Sequence, residues 1–177
     1  DYSYVAFDVY LSDGKQTKKL TKDLSASPRE LFWLNEKELA FSIDDRGASK
    51  VQSINISSGE LSEKIANFKE QFYLSSVHND VLFGTYANAK RPSELAVIKN
   101  NEIEKLSSFN EVALGQYVLG NTIEINYKAP DGMDIQGWYI TPPKFDKSKK
   151  YPLILVIHGG PHSMYRNQFN YLWHQFA

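Results

Sequence analysis

Cysteine is absent from the 177 residues. That excludes disulfide bonds, thiolate metal sites and a cysteine nucleophile. It leaves the compartment open (cytoplasmic, periplasmic or secreted), because exported proteins need no cysteine. An excess of either charge is also missing: Lys and Arg number 20, Asp and Glu 21, for a net charge of -1. Nucleic-acid-binding domains usually carry a basic face, so no such partner is expected. The longest aliphatic run, Leu153 to Ile157, has five residues, whereas a membrane span needs about twenty. No membrane crossing is expected. There is no P-loop, no G-x-G-x-x-G and no cluster with metal-ligand spacing, so no cofactor is implied. The chain opens Asp1-Tyr2-Ser3-Tyr4-Val5-Ala6-Phe7, without an initiator Met, a basic region or an apolar leader. This is not a signal peptide. The last residues, Tyr171 to Ala177, form an apolar, helix-like stretch with no stop signal. Both ends read as cuts. What is present is an ordinary soluble globular composition: 42% hydrophobic, 14% aromatic and 23% charged. The length suits one domain or two small ones.

The first two thirds of the chain repeat. Val5–Leu11 with Thr17–Thr21, Val51–Ile56 with Leu61–Ile65, and Leu95–Lys99 with Ile103–Leu106 read as three hairpins. Their turn markers Gly14, Gly59 and Asn101 are 45 and 42 residues apart. Between them lies a second kind of hairpin: Leu31–Leu34 with Leu39–Ile43, and Phe72–Leu74 with Val81–Tyr86. Short runs rich in Val, Ile, Phe and Tyr between Gly, Asn and Asp are strand signals. Four strands in roughly 42 residues is the pattern of a β-propeller blade. The count is about two and a half blades, over residues 1–120. A propeller closes only with four to eight, so this stretch does not close alone. A meander or sandwich with accidental spacing is the alternative, since no WD or kelch signature accompanies the repeat. Period-2 strands bury one face, so Phe32, Trp33, Phe41, Phe72, Tyr73 and Phe83 are expected to pack between neighbouring sheets.

The repeat fails after Asn110, with Val112–Leu119 as one further candidate strand. Thr122–Lys128 and Ile135–Ile140, around Pro130-Asp131-Gly132, predict an antiparallel hairpin that opens a second unit, 121–177. A polar connection, Thr141 to Lys150, follows; its lysines read as a solvated loop. Leu153–Ile157, apolar without alternation, predicts a strand buried on both faces of a parallel sheet. His158-Gly159-Gly160-Pro161-His162 comes directly after it. Two glycines let a ligand approach the main chain closely, and Pro161 stiffens the turn. In α/β-hydrolases the loop after such a strand supplies a backbone N–H to the oxyanion hole. A tight turn with no chemistry remains the alternative. His158 and His162 have helical metal-ligand spacing, but the Gly-Gly-Pro between them argues against a helix. His158 reads as a packed residue that shapes the loop. His78 and His174 show no partner, and Arg46, Arg91 and Arg166 are ordinary surface arginines that can also meet a carboxylate or carbonyl.

Tyr127-Lys128-Ala129-Pro130-Asp131-Gly132, Ile135-Gln136-Gly137-Trp138, Pro142-Pro143, Lys150-Tyr151-Pro152-Leu153-Ile154 and His158 to Tyr165 occur in that order. Together they resemble the serine peptidases of the prolyl oligopeptidase family, closest to the acylaminoacyl peptidase and bacterial dipeptidyl peptidase branch. The resemblance is dense over Thr122–Ala177. Before that it rests on blade periodicity and on Ser27-Pro28-Arg29-Glu30 and Asp44-Asp45-Arg46-Gly47. It implies a mixed fold: a partial β-propeller of antiparallel four-stranded blades, then the first part of an α/β-hydrolase domain. It implies an oligopeptide substrate and an oxyanion-hole role for the backbone of Gly159 and Gly160.

The family nucleophile sits in a G-x-S-x-G elbow, and no such pentapeptide occurs here; Gly47-Ala48-Ser49 lacks the final Gly. The serine, its acidic partner and its base are expected downstream of Ala177, in the rest of a parent polypeptide. The 177 residues alone are expected to be inert. A carboxylesterase shares the hydrolase logic but more often has a third glycine where Pro161 stands. A non-catalytic propeller module fits residues 1–110 and leaves His-Gly-Gly-Pro unexplained.

Overall fold

The computed structural model describes residues 6–22, 24–65, 67–160 and 163–177. It is mostly sheet. Strands β1 (Tyr10–Ser12) and β2 (Thr17–Lys19) form a hairpin. Strands β3 (Arg29–Asn35), β4 (Glu38–Asp45), β5 (Ala48–Asn55) and β6 (Leu61–Glu63) form an antiparallel meander. A second meander repeats it with β7 (Gln71–His78), β8 (Val81–Asn88), β9 (Arg91–Lys99) and β10 (Glu102–Lys105). The two are joined by one parallel bridge, Ser49 with Gln71. Every hairpin expected from the repeats is present among the described residues, the first only as Tyr10–Ser12 with Thr17–Lys19 (Val5 lies outside them), and each meander has four strands paired in chain order.

Period-2 alternation explains the stacking. On β4, Leu39, Phe41 and Ile43 face a cluster with Val9, Leu20 and Ile54, under the first hairpin. Ala40, one residue out of phase, faces the second meander, where it meets Val51, Phe68, Phe72, Leu74, Leu82 and Ile98. The first meander is thus buried on both sides. Phe41 and Phe72 are fully buried. Gly84 is needed where β8 crosses a register shift in β7: a Cβ there would lie 2.1 Å from the Tyr73 carbonyl oxygen.

Three expectations are corrected. Trp33 is 52% exposed. Its neighbours Phe32 and Leu34 take the inward positions of β3, and the pleat turns Trp33 to the other face. Val112–Leu119 is not a strand. Residues Glu111–Leu114 form a short helix, α1, because Glu94 folds the chain back at Phe109 and Asn110, away from any sheet edge. Leu153–Ile157 is not a buried strand either: it is unpaired, with exposure from 46% at Val156 to 85% at Leu153. A parallel strand takes its hydrogen bonds from neighbours on both sides, and no described strand flanks this one.

The predicted hairpin around Pro130-Asp131-Gly132 is present as β11 (Thr122–Lys128) and β12 (Asp134–Ile140), in unbroken register from Thr122–Ile140 to Lys128–Asp134. The helix-like end forms α2 (Tyr171–Phe176), capped by the Asn170 side chain, which accepts from Trp173 N. Among the described residues no helix is long and apolar enough to cross a membrane.

Candidate functional site

The Gly-Gly loop follows the exposed Leu153–Ile157 segment. Gly160 has φ +142°, a region that favours glycine. A Cβ on Gly159 would meet nothing within 4 Å, so that side of the loop is open. His158 Nδ1 lies 2.9 Å from the Gly159 carbonyl oxygen, where the ring donates and the carbonyl accepts. A trans peptide points its C=O and N–H in opposite directions. The Gly160 N–H is therefore aimed away from the imidazole, and no backbone acceptor among the described residues takes it. The expected Pro161 and His162 lie outside the described residues. The His158 ring is exposed and stands edge-on to Tyr165, with centroids 5.8 Å apart; Tyr165 in turn meets Trp173 at 4.9 Å.

The residues just beyond this loop are seated on the ends of the two meanders. The Arg166 guanidinium makes a two-point contact with Asp44, at the end of β4. Arg29 approaches the same carboxylate at 2.7 Å. The Asp44 hydrogen bond holds the Arg166 proton more tightly than in a free arginine. Asn167 N donates to the Gly47 carbonyl at 2.8 Å, and Asn167 Nδ2 to the Lys69 carbonyl at 3.0 Å. Gln71, fully buried, donates from Nε2 to Gly47 O at 2.8 Å and to Asn167 O at 3.2 Å. His174 Nε2 lies 2.7 Å from the Ala89 carbonyl, and its ring stacks on Phe169. His174 therefore has partners that the sequence did not reveal, and Arg166 is a partly buried anchor rather than a surface residue.

The β11–β12 hairpin completes the seam. Gly47, with φ +74°, faces the Trp138 indole so closely that a Cβ would sit 2.3 Å from it. Gln136 Nε2 donates to the Arg46 carbonyl at 3.0 Å and to Glu124 at 2.9 Å. The Gln136 and Asn126 hydrogen bonds, helped by Lys69 and Arg46, hold the Glu124 carboxyl below the usual carboxylate range. Arg46, Lys69, Glu124, Trp138 and Asn167 line a polar cleft of about 240 Å³. Among the described residues no group of three or more His, Asp or Glu side chains is placed to hold a metal.

Asp44, Gly47, Gln71 and Trp138 are the seam residues that residue-by-residue reading missed. The only signal was that Asp44-to-Gly47 and Trp138 both fall in segments carrying the family resemblance.

No protein-family model matches the chain. Curated relatives do. The chain is 30% identical over 175 residues to a probable dipeptidyl-peptidase 5 of Emericella nidulans, covering 93% of this chain and 24% of the relative. It is 34% identical over 108 residues to the uncharacterized peptidase YuxL of Bacillus subtilis, covering 60% and 15%. By sequence the chain is homologous to peptidases of the prolyl oligopeptidase family. The fold agrees with that family. An acylaminoacyl peptidase of Pyrococcus horikoshii superposes with a TM-score of 0.79 at 24% identity, over 96% of this chain and 26% of its own. An acylaminoacyl peptidase in complex with Z-Gly-Gly-Phe-chloromethyl ketone gives 0.80 at the same identity and the same shares. The chain spans about a quarter of the length of these prolyl oligopeptidase-family relatives.

Proposed function

We propose that the chain is the blade-to-hydrolase portion of a serine peptidase that cleaves oligopeptides through an acyl-enzyme. In this reading the two four-stranded meanders are consecutive propeller blades that restrict access. Residues 121–177 begin the α/β-hydrolase domain. The nucleophilic serine and its acid and base lie outside the 177 residues, which are inert alone. What supports the reading is homology to peptidases along 93% of the chain.

The chemical contribution of this segment is the Gly159–Gly160 backbone. When serine attacks a peptide carbonyl, negative charge builds on the carbonyl oxygen, and a fixed N–H stabilises that charge. The Gly160 N–H meets no backbone acceptor among the described residues, and the preceding carbonyl is occupied by His158. His158 orients the peptide and transfers no proton. The test is Gly160→Ala in the full-length polypeptide, assayed on a peptide substrate. The alanine keeps the N–H, but its methyl crowds the place of the developing oxyanion and strains the peptide that aims the donor, so kcat is expected to fall about 100-fold or more, with KM little changed because the donor acts in the transition state. Circular dichroism must first show a folded variant, since alanine at positive φ also costs stability. A folded variant with wild-type kcat leaves the loop a turn and nothing more.

A further inference from the structure

The contacts that seat Arg166–Gln168 on the blade ends exceed what closing the blades requires. Strands β4 and β5 already pair along their whole length, and β7 pairs with β8 from Gln71 to His78 around a single irregularity. Yet Gln71, sealed from solvent, spends both amide protons on carbonyls from segments 24 and 96 residues away. Asp44 reaches 122 residues ahead to Arg166. Its carboxylate is also gripped by Arg29, so it cannot swing with Arg166.

The path from this clamp to the glycine loop is short and continuous. The residue before Arg166 is Tyr165, whose ring meets His158. The His158 ring donates to the Gly159 carbonyl, which sets the plane of the Gly159–Gly160 peptide. The direction of the Gly160 N–H thus depends on where Arg166 and Asn167 are pinned. We propose that Asp44 and Gln71 are positioning residues: from the blade ends, they fix the His158–Gly160 loop by seating Arg166 and Asn167. This rests on the oxyanion reading above. It adds that catalysis depends on blade residues that touch neither substrate nor nucleophile. A misplacement of about 1 Å in a catalytic group can cost on the order of 100-fold in rate.

The test is the double variant Asp44→Asn/Gln71→Met in the full-length polypeptide; Met keeps the length of Gln71 and removes its donors. Hydrogen exchange followed by mass spectrometry is read at 163–168, with β8 and β9 as the control for folding. The expected result is at least tenfold faster exchange at 163–168 and unchanged protection in β8 and β9. With it, kcat falls at least tenfold and KM stays within twofold. Asp44→Glu, which keeps the charge, is expected to retain most of kcat where Asp44→Asn does not. Unchanged exchange at 163–168 overturns the proposal. So does an unaltered kcat once that protection is lost, because the clamp is then structural only. Gly160→Ala in an otherwise wild-type background is the separate arm. A normal kcat there removes the oxyanion reading and the catalytic purpose of the clamp together. A failure of the clamp alone leaves the Gly160 effect intact.

Discussion

Replacing Glu94 by Gln tests how the end of the second meander is locked. Glu94 is 2% exposed. Its carboxylate accepts from the Ser107 hydroxyl, from Phe109 N at 3.0 Å, and from Asn110 N and Nδ2 at 2.8 Å each. Every partner is a donor, which is why the acid is pulled down to about 2, the Ser107 hydrogen bond contributing most. Glutamine keeps the shape. Its oxygen can still serve Asn110, and the Ser107 hydroxyl can turn to accept from the new amide. The Phe109 N–H cannot turn. It is left facing another donor, and an orphaned buried donor costs about 1–3 kcal/mol. The Asn110 bonds lose their charge as well, at roughly 0.5–1.5 kcal/mol each. The sum is about 4 kcal/mol, or about 8–16 °C in Tm for a chain of this size. Urea unfolding at pH 7 measures it.

The pH dependence gives a second check. A depressed acid contributes stability that is full above its unfolded value and is lost as the pH falls through its folded value. For Glu94 that window runs from 4.5 down to about 2. Wild type and variant are therefore expected to differ at pH 7 and to converge toward pH 2. Asp8, Asp13 and Asp146 are lowered too, but they are present in both proteins and cancel. Equal stability at pH 7, or a gap of the same size at pH 7 and pH 2.5, would refute the account.

Phe72→Ala empties the space between the two meanders, where Phe72 is fully buried against Ala40, Val51 and Leu82; a loss of about 3–5 kcal/mol is expected by urea unfolding. Gly47→Ala drives a Cβ into Trp138 from a positive φ. It is expected to cost 1 kcal/mol or more and to red-shift tryptophan emission as the β11–β12 hairpin leaves the blade. Tyr86, raised to about 12 by burial and by its bond to Glu70, is expected to ionise last among the tyrosines in a spectrophotometric titration.

The parts legible in the sequence are the local ones. A hairpin needs only two apolar runs and a turn, and these lie side by side in the chain, so all the hairpins were readable from Gly14, Gly59, Asn101 and Pro130-Asp131-Gly132. Stacking was legible in outline, because Phe41 and Phe72 obey period 2. It failed at Trp33, where aromatic character pointed inward and the pleat pointed outward, and Tyr73 and Phe83 are half-buried and join neither buried cluster. Leu153–Ile157 failed for a different reason. An apolar run states which surface a segment can bury, but burial also needs partners, and none of the described strands supplies them.

The seam was the least legible feature, and its chemistry explains why. Gln71, Asp44 and Asn167 are polar residues without periodicity, and each takes its meaning from groups about 100 residues away. A buried amide is tolerated only if its donors are satisfied. Gln71 at the start of a strand would therefore read as a solvated strand end until Gly47 and Asn167 are known to converge on it. The same remoteness makes the seam informative about function. The glycine loop was read from five consecutive residues, since conformational freedom is a local property of the chain. Packing on the loop's outer side does not set its placement, since a Cβ built on Gly159 would meet nothing within 4 Å. In the proposed reading, a loop open to a substrate and still fixed in direction is anchored from behind, by Tyr165, Arg166 and Asn167 where they meet the two meanders.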